Sequence, residues 1–564
     1  MLDEHKKDPG APADDGLEAA LEEIGGNNRW MWLVFVLASA PGIFNIWALT
    51  SYVFLAAELE YWCDTPELEA TNWTHAQIRN ITAGDPDSKS CNVANFSSSF
   101  LQGLAALPFE QAEEEARLFK DDFGSRRCSH FSFVEQGTSI IEEWTLVCNR
   151  LVMLSNVQMV VALGKFAGAL LFGFVADKWG RKCSFVISCI MYIVAGPIAG
   201  IFPIYWVFVV ARFVLGMAGS GCYNCAFTLL TEVSNASRRT LLGILYNMSY
   251  PLGLLILPVI AYYVPQWRWL QLATSIPAVL LIINCWLIPE SPRWLLSQGR
   301  RDDAWAIVKK ANKELAKTRQ THLTPLGTDN AGPDTSDLSW VGKLQASMEK
   351  FTSLLLNCDL CMRLMICQYM WCVTALSYYA LSLNADNFTA DRYIYTAASG
   401  AVEAISYVIP IPILRYIGRR QTSAAMYLLS GAALLSILAI PKESGMAILA
   451  VAMVGRLCIS AVYSVIILYT TELFPTVNRN TAVGISSTMS HVGSIAAPYI
   501  VVQLGAVGRN IPSTICGLIC LSAGLLVLLL PETKGRALCD TVEEMEENAL
   551  KGDKVAIRNC CSMN

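Results

Sequence analysis

Apolar stretches about as long as a membrane span recur along this chain, separated by short polar turns and two long polar segments. The first runs from Trp30 to Ala57 without one charged side chain. Roughly 20 apolar residues in a helix cross the ~30 Å hydrocarbon core of a bilayer, where a helix or a closed barrel satisfies every backbone polar group. The pattern predicts twelve spanning helices. Six lie at 30–57, 151–175, 183–203, 205–230, 240–264 and 267–288, and six at 362–383, 393–415, 421–441, 445–471, 480–503 and 511–530. The expected fold is therefore an all-α membrane protein of two six-helix halves. A tail at 1–29 precedes a first half at 30–288, which includes a long polar segment at 58–150. A central segment at 289–360, a second half at 361–531 and a tail at 532–564 follow.

Composition agrees. Of 564 residues, 54% are hydrophobic and 16% charged, against about 25% charged in ordinary soluble domains. A soluble enzyme, a nucleic-acid binder and a fibrous protein are excluded. The net charge of −5 adds little, because the charge lies in turns and tails. Residues 1–28 are acidic and carry no basic region ahead of a short apolar run, so no cleavable signal peptide is expected.

Orientation follows from basic residues in the short turns. One side holds Lys178, Arg181, Lys182, Arg238, Arg239, Arg415, Arg419, Arg420 and Arg479; the other holds Arg268, Arg392, Lys442 and Arg509. The richer side is assigned to the cytosol, together with both termini and the central segment. Segment 58–150 then faces outward. Its acceptor sequences at Asn72, Asn80 and Asn95 fit that side. So do Cys63, Cys91, Cys128 and Cys148, which predict two disulfides in one of three pairings. In the central segment, 302–317 reads as an amphipathic surface helix and 324–337 as a linker.

Three motifs recur at nearly constant offset. Gly180-Arg181-Lys182 returns as Gly418-Arg419-Arg420, and Thr231-Glu232 with Arg239 returns as Thr471-Glu472 with Arg479. Pro289-Glu290-Ser291 returns as Pro531-Glu532-Thr533. The chain is a duplicated six-helix unit, an arrangement that places a substrate site where the repeats meet.

The segment from Gly173 through Asp177, Lys178 and Gly180 to Lys182 resembles the signature loop of the major facilitator superfamily. More narrowly, the chain resembles the organic cation/anion/zwitterion transporter family. That likeness rests on the long first loop, on Trp267–Leu272, on Pro289–Leu295 and on Tyr469–Thr476. It implies a major facilitator fold with pseudo-twofold halves, and alternating access driven by small-molecule binding. Under that resemblance Asp177, Arg181, Glu232, Arg239, Arg419, Glu472 and Arg479 are gating residues. Glu232 with Arg239, and Glu472 with Arg479, are expected to pair across the halves at the cytosolic face. Arg415 stands where the family often has aspartate, which predicts a weaker lock in the second half.

Charges inside a bilayer are costly and point to function. Lys165, Arg212, Glu403 and Arg456 fall within spans. Arg212 and Arg456 lie nearer helix ends, where they are expected to snorkel or join a structural network. Glu403 matches an acidic position of the family. Tyr223 and Phe227 share one helix face, as do Asn247 and Tyr250, and Trp371 and Tyr378. The resemblance implies that these positions line the central cavity as an aromatic box. His491 stands where cation carriers of the family tend to have aspartate and anion or carnitine carriers arginine, so it commits to neither class.

The expected activity is secondary active or facilitative transport of small organic cations or zwitterions, such as carnitine-, carcinine- or β-alanine-like amines, in the plasma membrane. The expected partners are the substrate, the lipid bilayer and a coupling sodium ion or proton, with no nucleic acid. No nucleotide-binding loop is present, and no cofactor or metal is expected. Two rival readings remain: an organic anion exchanger of the same family, and a non-transporting receptor on the same fold.

Overall fold

The computed structural model describes residues 29–82, 91–134, 137–311, 357–385, 388, 391–441 and 444–535. The acidic tail, the linker expected at 324–337 and the tail beyond 535 lie outside the described residues.

Within them, eleven helices are long and apolar enough to span a bilayer. In order they are Arg29–Leu55, Cys148–Trp179, Arg181–Ile201, Tyr205–Val233, Leu241–Tyr263, Trp267–Leu287, Cys358–Leu383, Arg392–Tyr416, Arg419–Ala439, Gly445–Leu473 and Asn478–Val507. The shorter apolar helix Ile511–Val527 completes the second half as the twelfth span. The second helix runs past the expected end at 175, through Asp177 and Lys178 to Trp179, because the breaker is Gly180 and not the hydrocarbon boundary. The surface helix of the central segment runs Arg301–Ala311.

Segment 58–150 is not wholly helical. Tyr61–Cys63 pairs antiparallel with Phe131–Phe133, and Asn92–Ala94 with Ser125–Arg127. Helices Ser98–Ala105 and Phe109–Phe123 pack beside them over a small core of Leu68, Ile78, Ile81, Phe96, Leu101 and Leu104. Of the three pairings left open by the sequence, the structure brings Cys63 to Cys128 and Cys91 to Cys148. Asn72, Asn80 and Asn95 are all exposed.

The repeated motifs fold into one device used twice. Gly180 joins the second and third spans at φ 102°, and Gly418 joins the eighth and ninth at φ 101°. Glycine alone adopts this backbone freely. A Cβ at either position would also strike a carboxylate, that of Glu290 or of Glu532. Glu290 accepts hydrogen bonds from the Arg181 and Lys182 amides at 2.9 and 3.1 Å; Glu532 accepts from Arg419 and Arg420 at 2.8 and 3.1 Å. A carboxylate on the unsatisfied amides of a helix start is favoured by hydrogen bonding and by the helix dipole.

Within the first half, glycines let helices approach closely. A Cβ at Gly164, Gly168 or Gly216 would lie 2.2 to 2.3 Å from a carbonyl oxygen of the facing helix. Between the halves run two seams. Gly400 of the eighth span rests on the Pro251 carbonyl and the Leu255 amide of the fifth. The second and eleventh spans meet through Phe166 and His491, with ring centroids 5.4 Å apart. There too the Tyr499 hydroxyl donates to Asn156 Oδ1 at 2.7 Å. Both helices of the first seam are broken: the fifth at Met248, ahead of Pro251, and the eighth at Ile409, ahead of Pro410.

The halves are joined unequally. Toward the end that carries segment 58–150, one apolar cluster runs from Leu55, Ile141 and Tyr205 into Leu381, Tyr395, Leu449 and Val501 of the second half. At the opposite end, the second half's Leu364, Ile466, Leu473 and Val527 belong to a separate cluster of their own.

Candidate functional site

At mid-height the fourth, fifth, seventh, eighth and tenth spans surround an ion pair. Arg456 Nη2 lies 3.1 Å from Glu403 Oε2, and each side chain is 1% exposed. Burying one charge alone would be prohibitive, so each requires the other and further hydrogen bonds. Arg456 also donates to Ser382 Oγ at 2.8 Å. The Tyr378 hydroxyl donates to both Glu403 oxygens, at 2.8 and 3.0 Å, and Tyr407 donates to Oε1 at 3.3 Å. The Arg456 guanidinium stands 5.1 Å from the centre of the Tyr378 ring. That ring face therefore already carries a cation.

Aromatic side chains continue outward from the pair. Tyr378 is 6.0 Å from Tyr463 and 5.3 Å from Tyr379, and Trp371 is 6.2 Å from Tyr463. From the first half, Tyr223 packs on Tyr246 at 4.8 Å and Tyr250 at 5.0 Å, and Phe227 lies 5.2 Å from Tyr246. Tyr223 is within electrostatic reach of Tyr463 and Glu403, and Tyr250 of Tyr378 and Tyr379, so the two sets face each other. Asn247 accepts from the Tyr223 hydroxyl at 2.7 Å, and Asn45 donates to Tyr250. Trp371 is also tied into the scaffold, its Nε1 donating to Thr470 Oγ1 at 3.0 Å. Beside Arg456, between Thr50 and Val53 of the first half and Tyr395 and Ser399 of the second, lies a small cavity with room for about one water.

The sequence thus named Tyr223, Phe227, Asn247, Tyr250, Trp371, Tyr378, Glu403 and Arg456, and the structure gathers all eight. It missed Tyr246, Tyr379, Tyr407 and Tyr463. Helical spacing held the signal: Tyr246 is one turn before Tyr250, Tyr407 one turn after Glu403, and Tyr463 two turns after Arg456. Lys165 and His491 lie elsewhere, on the seam of the second and eleventh spans. Neither Arg212 nor Arg456 snorkels. Arg212 is fully buried, donating to Ser51 Oγ at 3.2 Å and Gln158 Oε1 at 3.4 Å. Arg212 stands about two turns and Arg456 about three turns inside its helix, beyond the reach of a side chain to the interface.

At the motif-bearing end, the expected pairing across the halves is replaced by pairing within each half. Arg181 bridges Glu232 at 3.0 Å and Asp177 at 3.2 Å. Arg419 meets Glu472 at 2.9 Å, and Thr533 donates to the other Glu472 oxygen. Arg239 instead donates from Nε to the Thr231 carbonyl at 3.1 Å, at the end of its own half's fourth span. Arg479 Nε and Nη2 make no hydrogen bond among the described residues. The reason is proximity in the fold and not along the chain: Arg181 and Arg419 begin helices that start beside Glu232 and Glu472, although they lie 51 and 53 residues earlier in the sequence. Arg181 holds two carboxylates where Arg419 holds one, since Arg415 occupies the place equivalent to Asp177.

Residues 121–547 match the family described as sugar (and other) transporter. The chain is 34% identical over 523 residues to solute carrier family 22 member 2 of Mus musculus, covering 91% of this chain and 92% of that one. The chain belongs to the organic cation/anion/zwitterion transporter family. It is 29% identical over 538 residues to an organic cation transporter protein of Drosophila melanogaster, with 94% of each chain covered. Among solved structures, the xylose transporter XylE of E. coli superposes with a TM-score of 0.58 at 14% identity, covering 90% of this chain and all of that one. The fold is that of the major facilitator superfamily. This transporter is a multi-pass membrane protein and not an enzyme.

Proposed function

We propose that the transporter carries small organic cations or zwitterions across the plasma membrane by alternating access, with both termini in the cytosol. The observation that carries this reading is the buried Glu403–Arg456 pair, walled by tyrosines contributed by both halves. An ammonium entering there would lose its hydration and need compensation from ring faces and a carboxylate. The Tyr378 face and Glu403, now satisfied by Arg456, supply both. The substrate competes with Arg456 for them, which couples binding to rearrangement of the eighth and tenth spans.

The apolar cluster joining the halves at the end with segment 58–150 supports an inward-facing state, closed outside and open toward the cytosol. Arg181 with Asp177 and Glu232, and Arg419 with Glu472, hold the cytosolic end of each half rigid. Arg239 and Arg479 are the gate cations left to reach across when that end closes. The membrane potential supplies about 2.3 kcal/mol per charge per 100 mV for cation entry, with sodium or a proton as the candidate coupling ion.

Competition tests the substrate class. Uptake of labelled quaternary ammonium compounds by cells expressing the transporter is expected to be blocked by amines. Blockade by dicarboxylates alone would instead favour the anion exchanger.

A further inference from the structure

Lys165 lies at the middle of the second span and is 8% exposed. Its neighbours Gly164 and Gly168 form the face packed on the fourth span, where Cβ atoms would strike the Phe213 and Met217 carbonyls. One residue turns a helix by about 100°, so Lys165 leaves that contact for the seam with the eleventh span. There Phe166 stacks near His491, and the imidazole is within electrostatic reach of the Lys165 ammonium. Among the described residues, no carboxylate, hydroxyl or carbonyl is bonded to Lys165.

This sets it apart from the other buried basic side chains. Arg456 has Glu403, Arg363 has Asp359 at 2.6 Å, and Arg212 has Ser51 and Gln158. A cation at the bilayer midplane is costly without an anion, and a seam between repeats is where a transport cycle admits one. The seam also adjoins the aromatic cluster, since Tyr463 is in hydrogen-bonding contact with Ser490, the residue before His491. Charge counting points the same way. Glu403 and Arg456 cancel, so Lys165 leaves the centre net positive. A plain cation would add like charge, whereas a zwitterion adds none and brings the missing anion.

We propose that Lys165, flanked by His491, is a carboxylate-binding subsite, and that the substrate is a zwitterion. Its ammonium lies on the tyrosines around Glu403 and its carboxylate on Lys165. This rests on the transport reading above and narrows it.

The test compares two labelled probes in the full-length protein, matched in size: 4-(trimethylammonio)butanoate and pentyltrimethylammonium. The wild type is expected to take up the zwitterion with the lower KM. Lys165→Met, at equal surface expression, is expected to raise the zwitterion KM about tenfold or more and to leave the KM of the plain cation unchanged or lower. Lys165→Arg keeps the charge and is expected to stay close to wild type. Equal shifts for both probes in Lys165→Met, or none, would overturn the subsite. Wild-type uptake of the cation without the zwitterion overturns the subsite and leaves the transport reading standing. Uptake of neither probe defeats the transport reading and the subsite with it.

Discussion

Glu403 on the eighth span and Arg456 on the tenth form an ion pair of 3.1 Å in which each side chain is all but sealed from solvent. The pair ties two helices of the second half together at the height where the tyrosines of the first half approach it. On the proposed reading, structure and binding meet in the same two side chains.

Removing one partner leaves the other buried and uncompensated, at a cost of about 3–5 kcal/mol. Glu403→Gln and Arg456→Met are each expected to lower the melting temperature of the purified transporter markedly. The double substitution is expected to recover most of that loss, because a neutral buried pair of similar volume is tolerated. Transport is expected to stay lost in all three. Full transport in the double variant would show that the pair is scaffold alone.

The two glycine turns make a symmetric prediction. Gly180→Ala and Gly418→Ala each impose a disfavoured backbone and a collision with Glu290 or Glu532, at about 1–3 kcal/mol apiece. Glu290→Gln and Glu532→Gln keep shape but remove the charge that caps the following helix, at about 1 kcal/mol each. Thermal melting of the four variants is expected to give matching losses in the two halves. A large effect in one half alone would contradict the shared device.

How much of this was legible beforehand depended on range. Helix positions were, because span length and apolarity are local properties, while ends were missed by up to about four residues, at Trp179 against 175, Cys358 against 362 and Val507 against 503. The aromatic set was legible in part: Tyr223 with Phe227 and Trp371 with Tyr378 share faces within one helix, whereas Tyr463 meets Trp371 and Tyr378 from a different helix of the same half and Tyr223 across the halves. The gate was legible in part: the repeat picked out Glu232, Arg239, Glu472 and Arg479, but not the contacts that hold the glutamates within each half in this state. The nearer cation, Arg181, comes from the start of another helix that the intervening chain folds back. The role of Glu290 and Glu532 was hidden for the same reason: the amides they cap lie 108 to 113 residues earlier in the chain.

Segment 58–150 carries a prediction about side and covalent structure. Peptide mapping without reduction is expected to recover Cys63 linked to Cys128 and Cys91 linked to Cys148. Substituting one pair with serine is expected to destabilise the segment by about 2–5 kcal/mol and to reduce surface delivery. Asn72, Asn80 and Asn95 are exposed, so stepwise Asn→Gln substitution is expected to shorten the glycosylated form in three steps. Three unmodified sites on surface-delivered protein would contradict the outward placement of this segment.

The most direct test of the whole account is uptake by proteoliposomes holding the purified transporter, with labelled 4-(trimethylammonio)butanoate outside and a defined membrane potential. The account predicts saturable uptake that amines inhibit and that Glu403→Gln abolishes at equal protein content. Wild-type uptake no greater than that of protein-free liposomes, or uptake undiminished in Glu403→Gln, would contradict it.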